Sequence, residues 1–233
     1  MKLYHGTSER YLQKILTNGL QPRGGRGDGN WEKCPSRSDC VYLTVAYAPY
    51  YGYFTANGEE RIVTIEVDSN VLDRGSLLPD EDFLAQASKK DAIPGETLEE
   101  RTIWVRDRLH TFADYQEMSL NGLGNCCYRG AIPLEAITRI AIAAPDKTSN
   151  LCLMAADPTI TIMNFALMQD VYQNLTRAFA GYPVKAKTLI LDYVAILREK
   201  TDTENFAKHL DVLQTEIETI EVMEVEASRA IAV

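Results

Sequence analysis

A change in hydrophobic pattern near Pro158 constrains the fold more than any other feature of the sequence. Before about residue 150, apolar residues form short runs with strand-like alternation or brief helical spacing, separated by Gly and Pro. Beyond Pro158, apolar residues recur at helical spacing over long stretches. This periodicity predicts helices over roughly 159–180, 184–200 and 203–229. We therefore predict an α+β domain over residues 1–150 and a helical C-terminal extension over residues 151–233.

Within the first part, the clearest strand is Arg61–Val67, where apolar side chains alternate with polar ones. Shorter runs predict further strands at Lys2–His5, Val41–Thr44, Asn125–Ala131 and Ile137–Ala144. Helical spacing predicts helices between Ser8 and Gly19, up to Phe54, over Asp80–Ala87 and over Leu98–His110, with one helical turn at Pro133–Ala136.

Charge is distributed unevenly in a chain whose net charge is −9. Residues 1–40 carry seven basic and four acidic side chains, whereas residues 151–233 carry seven basic and twelve acidic ones. The acidic total argues against broad, sequence-independent binding of nucleic acids. The basic N-terminal region nevertheless suits an anionic ligand, and its glycine-rich loop offers Arg23 and Arg26 to a pyrophosphate or a nucleic-acid phosphate.

The 233 residues, 45% of them hydrophobic, are enough to bury a core. The number of cysteines is odd and we find no secretory signal, so we expect reduced thiols and not a disulfide framework. Because the sequence has no CxxC pair, we expect no metal site. The cysteines are Cys34, Cys40, Cys126, Cys127 and Cys152. No apolar run has the length of a signal peptide or a membrane span, so we expect a soluble cytoplasmic protein without membrane contact.

Two local patterns offer candidate binding groups. His5 ends a predicted strand beside Gly6, whose bare backbone allows a ligand to approach closely. Residues 42–54 contain six aromatic side chains, five of them Tyr, and Tyr rings stack on planar heterocycles while their hydroxyls form hydrogen bonds. We expect the rings of Tyr42 and Tyr53 to provide the stacking surfaces.

Three motifs in this order resemble the ADP-ribosyltransferase superfamily over about residues 2–142. This superfamily includes polymerase-like enzymes, DarT-type nucleic-acid transferases and, more distantly, RNA 2′-phosphotransferases. The motifs are His5-Gly6-Thr7 with Gly19-Leu20-Gln21-Pro22, Val41-Tyr42-Leu43-Thr44 with Tyr53 eleven positions after Tyr42, and Ile132-Pro133-Leu134-Glu135-Ala136-Ile137. The resemblance implies a split antiparallel sheet and NAD as the substrate.

The same resemblance implies roles for individual residues. His5 would bond the nicotinamide-side ribose, the Gly6 backbone would bond the carboxamide, and Thr7 would complete this NAD-binding motif. Tyr53 would stack on the nicotinamide ring, and Tyr42 would line the same pocket. Held in this way, NAD would lose nicotinamide through an oxocarbenium-like state.

The sequence departs from the family pattern at the catalytic Glu that many members carry at the start of the closing strand. Asn125 falls near that place, and it bonds hydroxyls but cannot act as a general base. Glu117 is the nearest acid upstream, and it would reach the site only if Ser119–Gly124 formed a compact loop. The departure argues against chain-elongating polymerase chemistry.

The leading hypothesis is an NAD-dependent mono-ADP-ribosyltransferase that modifies a protein or a nucleic acid. By family analogy, such an enzyme can serve as a toxin or an effector in bacterial or phage conflict. The alternatives are a degenerate module that binds NAD, ADP-ribose or nucleic acid without chemistry, and an RNA 2′-phosphotransferase. The acidic C-terminal helices are a candidate surface for a protein partner.

Overall fold

The computed structural model describes residues 1–24, 36–57, 60–87, 93–144, 173–183 and 215–225. These residues form an α+β fold around one antiparallel sheet, which confirms the predicted class. The seven strands are β1 (Lys2–Ser8), β2 (Cys40–Thr44), β3 (Ile62–Asp68), β4 (Leu77–Pro79), β5 (Asn125–Arg129), β6 (Ile137–Ala143) and β7 (Glu221–Glu224). Their order across the sheet is β4-β5-β2-β1-β3-β6-β7.

Short helices connect these strands. They are α1 (Leu12–Asn18), α2 (Ala48–Thr55), α3 (Glu81–Ala87), α4 (Leu98–Arg106) and α5 (Gln116–Gly122). Single 3-10 turns or short 3-10 helices lie at Glu9–Tyr11, Ser69–Val71, Arg74–Ser76, Leu109–Tyr115 and Leu134–Ala136. Strand β4 and helix α5 were not predicted, and the predicted helix Leu98–His110 ends at Arg106 before a 3-10 segment begins.

The pairing between neighbouring strands is shortest between β1 and β2. Strand β1 forms seven register pairs with β3 but only one, Tyr4 with Thr44, with β2. Strand β2 in turn forms five pairs with β5. The sheet therefore consists of two parts, β1-β3-β6-β7 and β2-β5-β4, which diverge beyond a single pair. We call the space beyond this pair the β1–β2 gap.

Apolar side chains on the two faces of the sheet form separate clusters. On one face, Leu3, Ile65 and Ile140 pack in the main core, which α1 covers through Ile15. On the other face, β4 and β5 pack against α4 and the segment after it in a second cluster. Cys126 lies in the first cluster and Cys127 in the second, and both are fully buried. Both thiols are therefore packed in apolar clusters on the two faces of the sheet, and neither is exposed.

Helix α2 packs directly on strand β1 at Gly6. A Cβ atom at this position would lie 1.7 Å from the carbonyl oxygen of Ala48 and 2.7 Å from the amide nitrogen of Gly52. No side chain fits there without moving the helix. The glycine that we expected to admit a ligand is thus required, on this face of the sheet, by helix packing.

Part of the C-terminal region packs against β1 and α2 in a third, small apolar cluster. Residues 173–179 are helical, Phe179 is 1% exposed, and Ala180 packs with Tyr4 and Ala48. Thr176 Oγ1 donates a hydrogen bond to the carbonyl of Ala46 at 2.6 Å. The predicted domain boundary near residue 150, the predicted helix over 184–200 and most of the one over 159–180 lie outside the described residues.

The predicted helix over 203–229 is wrong at its C-terminal end. Residues 215–218 are helical, but Glu221–Glu224 form β7, which pairs with β6. Without β7, strand β6 would present a row of unpaired amide and carbonyl groups at the sheet edge. Main-chain pairing with that edge therefore overrides the helical spacing of the apolar residues.

A buried carboxylate, that of Glu66, ties the C-terminal region to the sheet. Glu66 is 2% exposed, and its oxygens accept hydrogen bonds from Tyr182 Oη and Thr138 Oγ1, each at 2.6 Å. Lys2 Nζ lies 3.2 Å away. Burial alone would raise the pKa of Glu66, but these three partners hold the pKa below its ordinary value.

No helix in the described part of the chain is long and apolar enough to cross a membrane.

Candidate functional site

His5 stands at the mouth of the β1–β2 gap. Its Nδ1 lies 2.9 Å from the carbonyl oxygen of Tyr42. Because a carbonyl only accepts hydrogen bonds, Nδ1 carries the hydrogen. Withdrawal of the ring from water lowers the pKa of His5, and the bond to Tyr42 only partly opposes this. The imidazole is therefore neutral at neutral pH, and its Nε2 presents a lone pair to a hydroxyl donor.

The backbone of Gly6 also faces the gap. Successive residues of a strand direct their amide and carbonyl groups to alternate neighbours. Tyr4 and Thr44 pair across β1 and β2, so Gly6 and Tyr42, two positions further along each strand, direct their groups across the same boundary. The ladder contains no Gly6–Tyr42 pair, and the His5 ring bonds the Tyr42 carbonyl instead. The amide and carbonyl of Gly6 are thus directed toward β2 at a position where the described strands form no register pair.

The side chain of Tyr42 lies on the opposite face of the sheet from His5. Tyr42 shares a face with Thr44 and Tyr4, whereas His5 follows Tyr4 directly. The Tyr42 hydroxyl donates to Glu81 Oε1 at 2.5 Å and accepts from the amide of Arg37 at 2.9 Å. The two residues predicted to share one pocket are thus linked through the Tyr42 backbone, and not by their side chains.

Asn125 begins β5 directly opposite Thr44, so Tyr4, Thr44 and Asn125 lie in one row across three strands. Its side chain is 7% exposed, and its Nδ2 donates to the hydroxyl of Tyr51 at 2.9 Å. Asn125 Oδ1 is buried and has no hydrogen-bond partner. Since a buried carbonyl oxygen without a partner is costly, this atom is a candidate ligand contact.

Two acids at the start of α3 lie beside Asn125. Ser119 Oγ accepts from the Asp80 amide at 2.9 Å and donates to the Asn125 carbonyl at 2.8 Å. Burial raises the pKa of Asp80, and the neighbouring charges of Glu81 and Asp82 add to this. Burial also raises the pKa of Glu81, although the bond from Tyr42 opposes it.

We call Tyr42, Tyr51, Asp80, Glu81 and Asn125 the Asn125 cluster. It has two buried acceptor atoms without a partner, Asn125 Oδ1 and Glu81 Oε2. Glu81 is 4% exposed. A buried polar cluster with open acceptors is typical of a site completed by a ligand or by ordered water.

The other predicted site residues are placed as follows. Thr7 is buried in β1, and Arg23 donates to the carbonyl of Ser36 at 2.9 Å. Tyr53 is half-buried on α2, with its ring centroid 6.4 Å from that of Phe54. Arg26 lies outside the described residues. Among described contacts, none links Tyr53 to His5, Tyr42 or Asn125.

Glu117 lies exposed in the first turn of α5. The compact loop that was to carry it into the site is absent, because residues 116–122 are helical and only the end of Ser119–Gly124 leaves the helix. Of the two candidates, Asn125 is buried at the start of β5 and Glu117 is exposed on α5.

Sequence reasoning missed Tyr51, Asp80 and Glu81. Tyr51 is one of several tyrosines in its segment, and nothing local distinguishes it from Tyr53. The acids follow Pro79 and begin a helix, where acidic residues are common for capping alone. One available signal was an acidic pair directly after a short apolar run, at the junction of a strand and a helix.

In the part of the chain that the structure describes, no group of three or more His, Cys, Asp or Glu side chains is arranged to hold a metal ion. A surface groove of about 280 Å³ lies between residues 181–183 and residues 217–222, and it contains none of the predicted site residues. No protein-family model matches the sequence, and no curated protein matches it significantly.

Proposed function

We propose that this protein is an NAD-dependent ADP-ribosyltransferase that transfers a single ADP-ribose to a protein or nucleic-acid acceptor. The observation that carries the proposal is the β1–β2 gap, where His5 has a lowered pKa and bonds the Tyr42 carbonyl through Nδ1, and where Gly6 has no register partner in β2. A sheet that diverges at the His-Gly-Thr motif agrees with the split sheet that the sequence resemblance implies.

The groups at the gap suit the nicotinamide end of NAD. His5 Nε2 accepts a hydrogen bond from a ribose hydroxyl, and the amide and carbonyl of Gly6 pair with the carboxamide, which needs one donor and one acceptor. These contacts hold the ribose and the ring in a fixed relation. The bond between the anomeric carbon and the nicotinamide nitrogen breaks with its electron pair leaving on nicotinamide, and the acceptor then bonds that carbon and releases a proton.

Asn125 supports transfer of one unit and not of a chain. Its Oδ1 accepts from a hydroxyl, but an amide does not remove a proton from an incoming hydroxyl. Asn125 lies in the row of Tyr4 and Thr44, on the face of the sheet opposite His5, so its buried, unpartnered Oδ1 would accept from a different hydroxyl of the ligand than the one that His5 binds. Elongation requires activation of a ribose hydroxyl of the previous unit, for which Asn125 is unsuited.

Release of nicotinamide from NAD tests the proposal. The purified chain is incubated with NAD labelled in its adenine, together with the protein and nucleic-acid fractions of a lysate, and both free nicotinamide and the labelled fraction are measured. We expect release and labelling, and we expect His5→Ala to lower release by about 100-fold or more. His110→Ala is the matched control, since His110 is exposed outside the site. Equal activity of His5→Ala and the wild type would exclude the site assignment.

One observation favours a second candidate, a module that binds NAD or ADP-ribose without chemistry. The Asn125 cluster holds its acids in surroundings that raise their pKa, and its buried side chain at the start of β5 is the amide of Asn125. Such a site binds hydroxyls but offers little charge to a developing cation. A pure binder would show a ligand-dependent rise in unfolding temperature with ADP-ribose and no nicotinamide release with NAD.

A further inference from the structure

We propose that Glu81 is a positioning residue, which holds the His5 imidazole in its productive orientation through Tyr42. The inference rests on the proposed function, because it concerns how the ring that would bond the ribose is held. Three described contacts form the path from Glu81 to the open Nε2 of His5.

The first contact fixes the Tyr42 side chain. Its hydroxyl has one hydrogen, which goes to Glu81 Oε1 at 2.5 Å, and it accepts the Arg37 amide at 2.9 Å. A phenol bonded in both directions, with its ring packed in the second apolar cluster, has little freedom to turn. The Tyr42 side chain is thus anchored at both its ring and its tip.

The second contact transfers this constraint to the backbone. Strand β2 pairs with β5 at Tyr42 and Cys127, but on its other edge it has no β1 partner at this position. Its carbonyl is therefore positioned from one side of the sheet only. The anchored side chain supplies the missing constraint on the orientation of the Tyr42 peptide.

The third contact is the bond from His5 Nδ1 to the Tyr42 carbonyl at 2.9 Å. This bond selects the tautomer that places the hydrogen on Nδ1 and leaves Nε2 as the acceptor. If the Tyr42 peptide turns, the imidazole loses its partner, and both its rotation and its tautomer are released. Glu81 therefore acts on the ribose contact without touching the substrate.

The chain has only three histidines, which makes the tautomer directly measurable. Nitrogen-15 chemical shifts of the imidazoles report whether Nδ1 or Nε2 carries the hydrogen, and the spectrum of His5→Ala assigns the His5 signals. In the wild type we expect His5 as a single Nδ1–H tautomer at neutral pH. In Glu81→Leu and in Tyr42→Phe we expect a mixture of the two tautomers.

Activity provides the second readout. We expect kcat/KM for nicotinamide release to fall about 10- to 100-fold in Glu81→Leu and in Tyr42→Phe. Glu81→Gln keeps an acceptor oxygen for Tyr42 and should retain most of the wild-type rate. Glu99→Gln is the matched control, because Glu99 is exposed at the start of α4. Tyr42→Phe keeps the test decisive if Glu81→Leu does not fold.

The outcomes separate the two proposals. Nicotinamide release by the wild type with an unchanged tautomer and an unchanged kcat/KM in both variants overturns the role of Glu81 and leaves the proposed function standing. Absence of release by the wild type overturns the proposed function, whatever the tautomer is. A tautomer mixture together with the loss of kcat/KM supports the inference.

Discussion

Two buried carboxylate sites in the same sheet differ in how completely their hydrogen bonds are satisfied. Glu66 has partners for both oxygens, and its pKa lies below the ordinary value. In the Asn125 cluster, Glu81 and Asn125 each keep one buried oxygen without a partner, and the pKa of Glu81 is raised. The two sites belong to the two parts of the sheet that diverge at the β1–β2 gap.

The difference separates a structural role from a functional one. A buried acid with a full set of partners stabilises the packing around it, here between the sheet and residues 173–183. A cluster with open acceptors lowers stability in the absence of a ligand and gains it back on binding. Substitutions in one site should therefore change stability alone, and substitutions in the other should change the response to a ligand.

The largest loss in the free energy of unfolding is expected at Glu66, whose two oxygens both have hydrogen-bond partners. Glu66→Ala removes the acceptor of Tyr182 and Thr138 and the partner of Lys2, so we expect a loss of about 3 kcal/mol in the free energy of unfolding. Urea denaturation measures this loss. Glu135→Ala, at an exposed position, should change the free energy by less than about 0.5 kcal/mol. Equal losses in Glu66→Ala and Glu135→Ala would contradict a stabilising role for the buried Glu66 carboxylate.

In the Asn125 cluster, Asn125→Ala should lower the free energy of unfolding less than Glu66→Ala does, and it should weaken the binding of ADP-ribose. The loss of the bond to Tyr51 predicts a cost of about 1 kcal/mol in the free energy of unfolding. Loss of Oδ1 predicts about tenfold weaker binding of ADP-ribose. Isothermal titration calorimetry gives the affinity. A variant as unstable as Glu66→Ala that binds ADP-ribose normally would place Asn125 on the structural side of the comparison.

A pH titration of binding probes the gap itself. The pKa of His5 lies below its ordinary value, so the ring stays neutral from neutral pH down to slightly acidic pH. Below that pKa, protonation removes the Nε2 acceptor, and the affinity for ADP-ribose should fall by up to about tenfold per pH unit. The wild type and the His110→Ala control should show the same fall. A flat profile extending well below the ordinary His pKa of about 6.5 would separate His5 from the ligand.

The smallest effect is expected for Asp80→Asn. The raised pKa of Asp80 means that the folded protein holds this proton more tightly than the unfolded chain does. This group therefore stabilises the fold at low pH, and its contribution is lost as the pH rises. The amide that replaces the carboxyl cannot be charged, so we expect the variant to unfold about 2–4 °C higher than the wild type near neutral pH and to show no gain at about pH 4. Scanning calorimetry at both pH values measures the difference.

Local patterns predicted most of the sheet. Alternation predicted β3, and short apolar runs bounded by Gly or Pro predicted β1, β2, β5 and β6 within a few residues. Strand β4 has three residues, too few for a period, and it forms because β5 offers it a partner. Strand β7 carries apolar residues at helical spacing, and only the open edge of β6 decides its conformation.

In the candidate site too, local sequence patterns identify some residues and miss the contacts between distant segments. His5, Gly6, Tyr42 and Asn125 could be selected because they belong to ordered motifs within their own segments. The contact of Tyr42 with Glu81 joins residues 39 positions apart, and that of Asn125 with Tyr51 joins residues 74 apart. No local pattern encodes such pairs, since they arise only when β4 and β5 bring α3 beside β2.

Because β7 lies late in the chain, the edge of β6 is covered only near the end of synthesis. Strand β6 leaves the ribosome roughly 80 residues before the strand that covers its edge, an interval of about 4–16 s at 5–20 residues per second. During that interval the nascent sheet presents an uncovered edge that includes Ile140 and Ile142. Such an edge can pair with another nascent chain, so yield on overexpression should depend on chaperone supply and on the rate of translation.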